Sequence, residues 1–193
     1  DDFIHAGIRG TLTAVSIPGI GAPLAEWFSA IVVPPLEKRR DAWIRRIAIR
    51  LQELETNVGG LCIAKLPDYE AFITTMMYAS QAAIRTHQAE KLEALQNIVL
   101  QAAMPNPPDE DIQLMFINFL DTMTSWHLII LKFLDAPEQW ALEKGITFPS
   151  WSMCGIKTVI EFTFPELKQR EEFLRQIVKA LYSQGLINTD SIG

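Results

Sequence analysis

The sequence predicts an all-α protein, a multi-helix bundle of about seven to nine helices. Three observations carry that prediction. Apolar residues recur at helical spacing through most of the 193 residues. Prolines and glycines fall in separated clusters, as stops between helices do. Only one short stretch, Thr158-Val159-Ile160-Glu161-Phe162, has the β-branched and aromatic content of a strand.

Composition narrows the class further. With 49% hydrophobic and 21% charged residues, the chain has the apolar content for a buried core, unlike disordered or collagenous chains. Its net charge of −6 argues against a generally nucleic-acid-binding surface. Two cysteines, Cys62 and Cys154, cannot build a disulfide framework or complete a four-ligand zinc site.

The first 34 residues read as an apolar hairpin punctuated by glycine and proline. Residues 3–16 predict one short helix, ended by Pro18-Gly19, and residues 24–33 a second, stopped by Pro34-Pro35. Between Arg9 and Glu26 lies an uncharged stretch, but Pro18, Gly19, Gly21 and Pro23 break it, so it is not read as a membrane span. With no basic leader before it, the expected location is cytoplasmic.

Residues 35–104 read as a helical bundle region. Pro35 suits the first turn of a helix over 36–54. There Leu36, Trp43, Ile44, Ile47, Ala48, Leu51 and Leu54 project into an arc of about 140° at 100° per residue. Asn57 and Gly59-Gly60 end it, because both residue types accept the left-handed conformation of a closing turn. Asp68 is placed to cap the next helix, with Tyr69, Phe72, Ile73, Met76, Ala79, Ala83 and Ile84 as its apolar row. The row thins at Thr86-His87-Gln88 and resumes with Leu92, Leu95, Val99 and Ala102, which predicts a kink or a tight joint. Pro105-Asn106-Pro107-Pro108 is the clearest boundary in the chain.

Residues 105–193 form the C-terminal region. Asp109-Glu110-Asp111 put negative charge at a helix start, where the dipole favours it, followed by the row Ile112, Met115, Phe116, Phe119, Leu120 and Met123. Thr124 or Ser125 caps a helix WHLIILKFL, and Pro137 opens a short one ended by Gly145. Residues 146–164 give no clear period. Pro165 starts a final helix with Leu167, Phe173, Leu174, Ile177, Val178 and Leu181 facing inward, closed by Gly185.

No catalytic set emerges. Cys154 lies among Trp151, Met153 and Gly155, where nothing local would stabilise a thiolate, and Cys62 between Leu61 and Ile63 reads as core. His5, His87 and His127 lack the paired spacing of metal ligands, and His127 beside Trp126 reads as a packed, hydrogen-bonded histidine. No phosphate-binding loop or nucleophile-elbow motif is present. The expectation is a non-enzyme without cofactor or metal.

Charge is distributed unevenly. Between Glu37 and Arg50 six Lys/Arg face two acids, whereas residues 61–193 carry ten basic against sixteen acidic groups. Basic amphipathic helices meet anionic lipid, nucleic acid or acidic proteins, or are merely solvated. Following directly on the apolar hairpin, this face makes a candidate interaction surface of Trp27, Phe28, Arg39, Arg45, Arg46 and Arg50.

The helix over 109–123, the segment Thr124–Leu134 and a later helix ending Leu181-Tyr182-Ser183-Gln184-Gly185-Leu186-Ile187 together resemble winged-helix domains. The resemblance implies a recognition helix passing into a wing. It departs from DNA readers in charge: Lys168, Arg170, Arg175 and Lys179 are offset by Glu166, Glu171 and Glu172. Protein contact is therefore expected before nucleic acid. The sequence as a whole reads as a helical interaction or scaffold protein, self-associating or bound to a protein partner. The alternatives are an anionic membrane surface met by the hairpin and basic helix, and nucleic acid met by the C-terminal half.

Overall fold

A computed structural model describes residues 22–149 and 155–189, with side chains from residue 31 onward. Eight α-helices and two short 3₁₀ helices make up the regular structure, and no strand occurs among the described residues. The chain divides into two units, Asp1–Arg39 and Arg40–Gly193.

Helix α1 runs from Ala22 to Asn57 without a break and carries Pro34 and Pro35 inside it. The predicted stop at these prolines is therefore corrected, and with it the separate helix over 24–33. Proline's fixed φ is itself helical, so the pair removes two backbone hydrogen bonds and crowds the preceding turn without ending the helix. Residues 31–42 are exposed, which leaves water available to the carbonyls that lose their partners. The expected helix over 3–16 lies outside the described residues. As predicted, the helix ends at Asn57, and Gly60 closes the turn with φ +89°.

Unit Arg40–Gly193 holds two apolar cores. The first is built from α1 (Trp43, Ile47, Leu51), the 3₁₀ helix Ile63–Asp68 (Leu66), α2 over Glu70–Arg85 (Phe72, Ala79, Ala82, Ala83), α3 over Ala89–Ala102 (Leu95, Val99) and α4 over Glu110–Thr122 (Ile117, Leu120). Asp68 belongs to the 3₁₀ helix and caps nothing; Tyr69 occupies the cap position of α2 without a side-chain bond. The weak point at residues 86–88 is a true joint, where the Thr86 hydroxyl accepts the Gln88 amide at 3.2 Å. Asp109 caps α4 by accepting the Asp111 amide at 2.9 Å.

The second core joins α5 over Ser125–Asp135 (Ile130, Phe133), α7 over Ile156–Thr163 (Ile160), the 3₁₀ helix Pro165–Leu167 and α8 over Glu171–Ser183 (Leu174, Ile177, Val178, Leu181). Helix α6, Pro137–Lys144, packs beside α5 through Trp140, whose ring lies 6.2 Å from that of Phe133. Leu128 of α5 touches both cores.

One expectation fails here, and part of the stretch without a clear period is helical. Thr158–Phe162 is helical, because Ile156, Val159, Ile160 and Thr163 follow the helical period and place Ile160 fully in the core; that burial outweighs β-branched propensity. The last helix begins at Glu171, since the chain first makes a 3₁₀ turn that buries Leu167 completely. Gly185 closes α8 with φ +69°, and Leu186–Thr189 beyond it hold no strand, so no wing lies among the described residues.

Candidate interaction surface

Trp27 and Phe28 lie on α1, and their side chains fall outside the described ones. Arg39, Arg45, Arg46 and Arg50 are exposed on the same helix, Arg39 in unit Asp1–Arg39 and the other three in unit Arg40–Gly193. Their roles differ. The Arg46 guanidinium donates through Nε to Oε1 of Gln96, a buried side chain of α3, and so ties α1 to the first core. Arg50 pairs with Glu53 one turn on, at 2.6 Å.

In unit Asp1–Arg39, the α1 residues Val32, Val33 and Leu36 fall within about one quadrant of the helix at 100° per residue. All three are exposed, at 39–42%, and Ile31 beside them at 48%. Leu36 thus leaves the inward set the sequence predicted, as does Ile44 at 46%. Arg40 is exposed and lies 3.6 Å from Asp41. Apolar surface of this kind, rimmed by charge, is the usual mark of a contact surface.

A second feature escaped the sequence reading. Lys91 on α3 is buried, and its ammonium donates to the carbonyls of Met123 at 2.8 Å and Asp121 at 3.2 Å, closing the end of α4. Burial lowers its pKa below the ordinary lysine value, opposed by Asp121 and aided by Arg85. Asp121 also pairs with Arg85 at 2.7 Å. One turn along, His127 Nδ1 accepts the Thr124 amide at 3.1 Å and lies 2.9 Å from the Thr124 hydroxyl, forming a capping box for α5. Burial first, and then the Lys91 charge, hold His127 below the ordinary histidine value, which keeps Nδ1 free to accept. The cluster joins the two cores. A lysine in an otherwise apolar row, 30 and 32 positions from its two acceptors, leaves no short-range signal.

Among the described residues no group of three or more His, Cys, Asp or Glu is placed to hold a metal ion. Cys62 is a half-buried free thiol, and Cys154 lies outside the described residues. Of the basic residues near α8, Arg175 pairs with Glu171 at 2.9 Å and Arg170 lies 4.0 Å over the Phe173 ring, so both are engaged within the chain. Among the described residues no single helix is long and apolar enough to cross a membrane; α4 and α5 pass the same length-and-composition test only as a pair, bent by 119°. No protein family, curated protein or solved structure matches the chain.

Proposed function

We propose that this protein is a non-enzymatic helical interaction module that self-associates through the N-terminal half of α1. The observation that carries the reading is the apolar stripe Val32, Val33 and Leu36, exposed on the part of α1 that lies in unit Asp1–Arg39. A second copy presents the same stripe, so an isologous, antiparallel pairing matches apolar surface to apolar surface. That orientation also keeps the two Lys38-Arg39-Arg40 clusters at opposite ends, whereas a parallel pairing would juxtapose them.

The test is the mass in solution, by light scattering, of the intact chain and of a Val33→Glu/Leu36→Glu variant. Association in the first and a monomer in the second support the reading; a monomer in both contradicts it. One observation favours a second reading, attachment to an anionic membrane surface: the apolar residues Ile31–Val33 and Leu36 are followed at once by Lys38, Arg39 and Arg40, all exposed. Co-sedimentation with phosphatidylserine vesicles that disappears at high salt would favour that reading.

A further inference from the structure

The row Ile112, Met115, Phe116, Phe119 and Met123 lies on one side of α4 at i, i+3, i+4, i+7 and i+11. The sequence predicts one apolar row of these five residues with Leu120. Of that row the structure buries Leu120 on a stripe with Gln113 and Ile117, on a helix that contacts α2 and α3. Gln113 turns inward because it is satisfied there: its carbonyl accepts the buried Thr75 hydroxyl at 2.8 Å and its amide donates to the Pro108 carbonyl at 2.6 Å. The apolar row is left divided along its length. Met123 is buried in the second core and Phe119 packs against it, while Ile112, Met115 and Phe116 stand 46%, 42% and 41% exposed.

This is a straight apolar ladder, closed at one end by a core and open at the other. The open end is acidic: Asp109, Glu110 and Asp111 precede Ile112 directly, with Asp111 exposed. Phe116 is held edge-on to Phe119, ring centroids 6.0 Å apart, so the exposed aromatic is oriented before any partner arrives.

We infer that the exposed face of α4 docks a basic amphipathic helix of a partner protein, apolar side on Ile112, Met115 and Phe116 and cationic residues against the exposed Asp109 and Asp111. A helix fits because the contacts repeat at helical spacing along one straight rod. A basic one fits because an acidic partner would bring like charges onto the open end. The surface is distinct from the α1 stripe, and the inference stands whether or not the chain self-associates.

The probe is a synthetic amphipathic peptide with leucines on one helical face and lysines on the other, binding followed by fluorescence anisotropy. Controls are the same pattern with glutamate for lysine, and a scrambled lysine peptide. The lysine amphipath binds the wild-type chain, more weakly as salt rises, and the two controls do not. Phe116→Ser and Ile112→Ser each weaken binding by roughly tenfold. Glu110→Gln/Asp111→Asn, which keeps the Asp109 cap, removes most of the salt dependence. Circular dichroism checks that these exposed substitutions leave the helices intact. Three results overturn the inference: equal binding of the scrambled peptide, unchanged binding by both serine variants, or loss of self-association or vesicle retention in Phe116→Ser, which would give the face to a second copy or to lipid.

Discussion

Lys91 Nζ lies 2.8 Å from the Met123 carbonyl oxygen, so a buried ammonium on α3 completes the last turn of α4. The last carbonyls of a helix have no partner within it, and at this junction the core limits water. A cation there also meets the negative end of the helix dipole. The two cores are thereby joined by a charged hydrogen bond as well as by Leu128.

Replacing Lys91 with Met keeps the aliphatic stem and removes the donors. The variant is expected to lose about 1.5–3 kcal/mol, the range for hydrogen bonds to charged groups. Urea denaturation measures it. An unchanged midpoint would show that water satisfies those carbonyls equally well.

His127 should make stability depend on pH. Its folded value lies below the ordinary 6.5, so at mildly acidic pH the unfolded chain binds the extra proton. The contribution is therefore fully present above the ordinary value and is lost as pH falls through the folded one. Protonation also places an N–H against the Thr124 amide it now accepts. His127→Gln keeps an acceptor at the capping position but does not titrate. Thermal melts from about pH 7 down to about pH 5 should fall less steeply for this variant than for the wild type. Parallel slopes would remove His127 from the account.

Neighbouring arginines on α1 should behave differently. Arg46→Met breaks the bond to buried Gln96 and is expected to cost about 1 kcal/mol or more. Arg45→Met, exposed, is expected to stay within about 0.5 kcal/mol. Equal losses would mean that the Arg46 bond contributes nothing specific.

The second core rests on an aromatic cluster. Phe133 and Phe164 lie 5.4 Å apart, edge to face, and Trp126 and Trp140 each lie 5.8 Å from Phe164. Phe133 is fully buried, so Phe133→Ala is expected to cost about 3–5 kcal/mol. Near-ultraviolet circular dichroism should lose the signal of the packed tryptophans.

Much of this architecture is legible in the residues themselves. Gly60, Gly145 and Gly185 stop helices because each adopts positive φ, and Pro105–Pro108 part α3 from α4. Periodicity placed the inward residues of α8 and the α1 positions Trp43, Ile47 and Leu51. It failed where apolar residues outnumber the places to bury them. Leu36 on α1 follows the helical period yet is exposed, and Ile112, Met115 and Phe116 on α4 lie beside the face that enters a core. Thr75 and Gln113 show the converse: two polar residues are buried because they satisfy one another across thirty-eight positions. Neither outcome has a local signal, because each depends on which helix arrives as a neighbour. Pro34-Pro35 misled for another reason. Proline marks a helix end only on average, and inside an exposed helix it costs hydrogen bonds without dictating a stop.

The most direct test of self-association through α1 is sedimentation velocity of the intact chain over a wide concentration range, with Leu36→Glu alongside. The account predicts a species heavier than the 21.8 kDa chain that grows with concentration, and its loss in the variant. A 21.8 kDa species at every concentration in the wild type would contradict it.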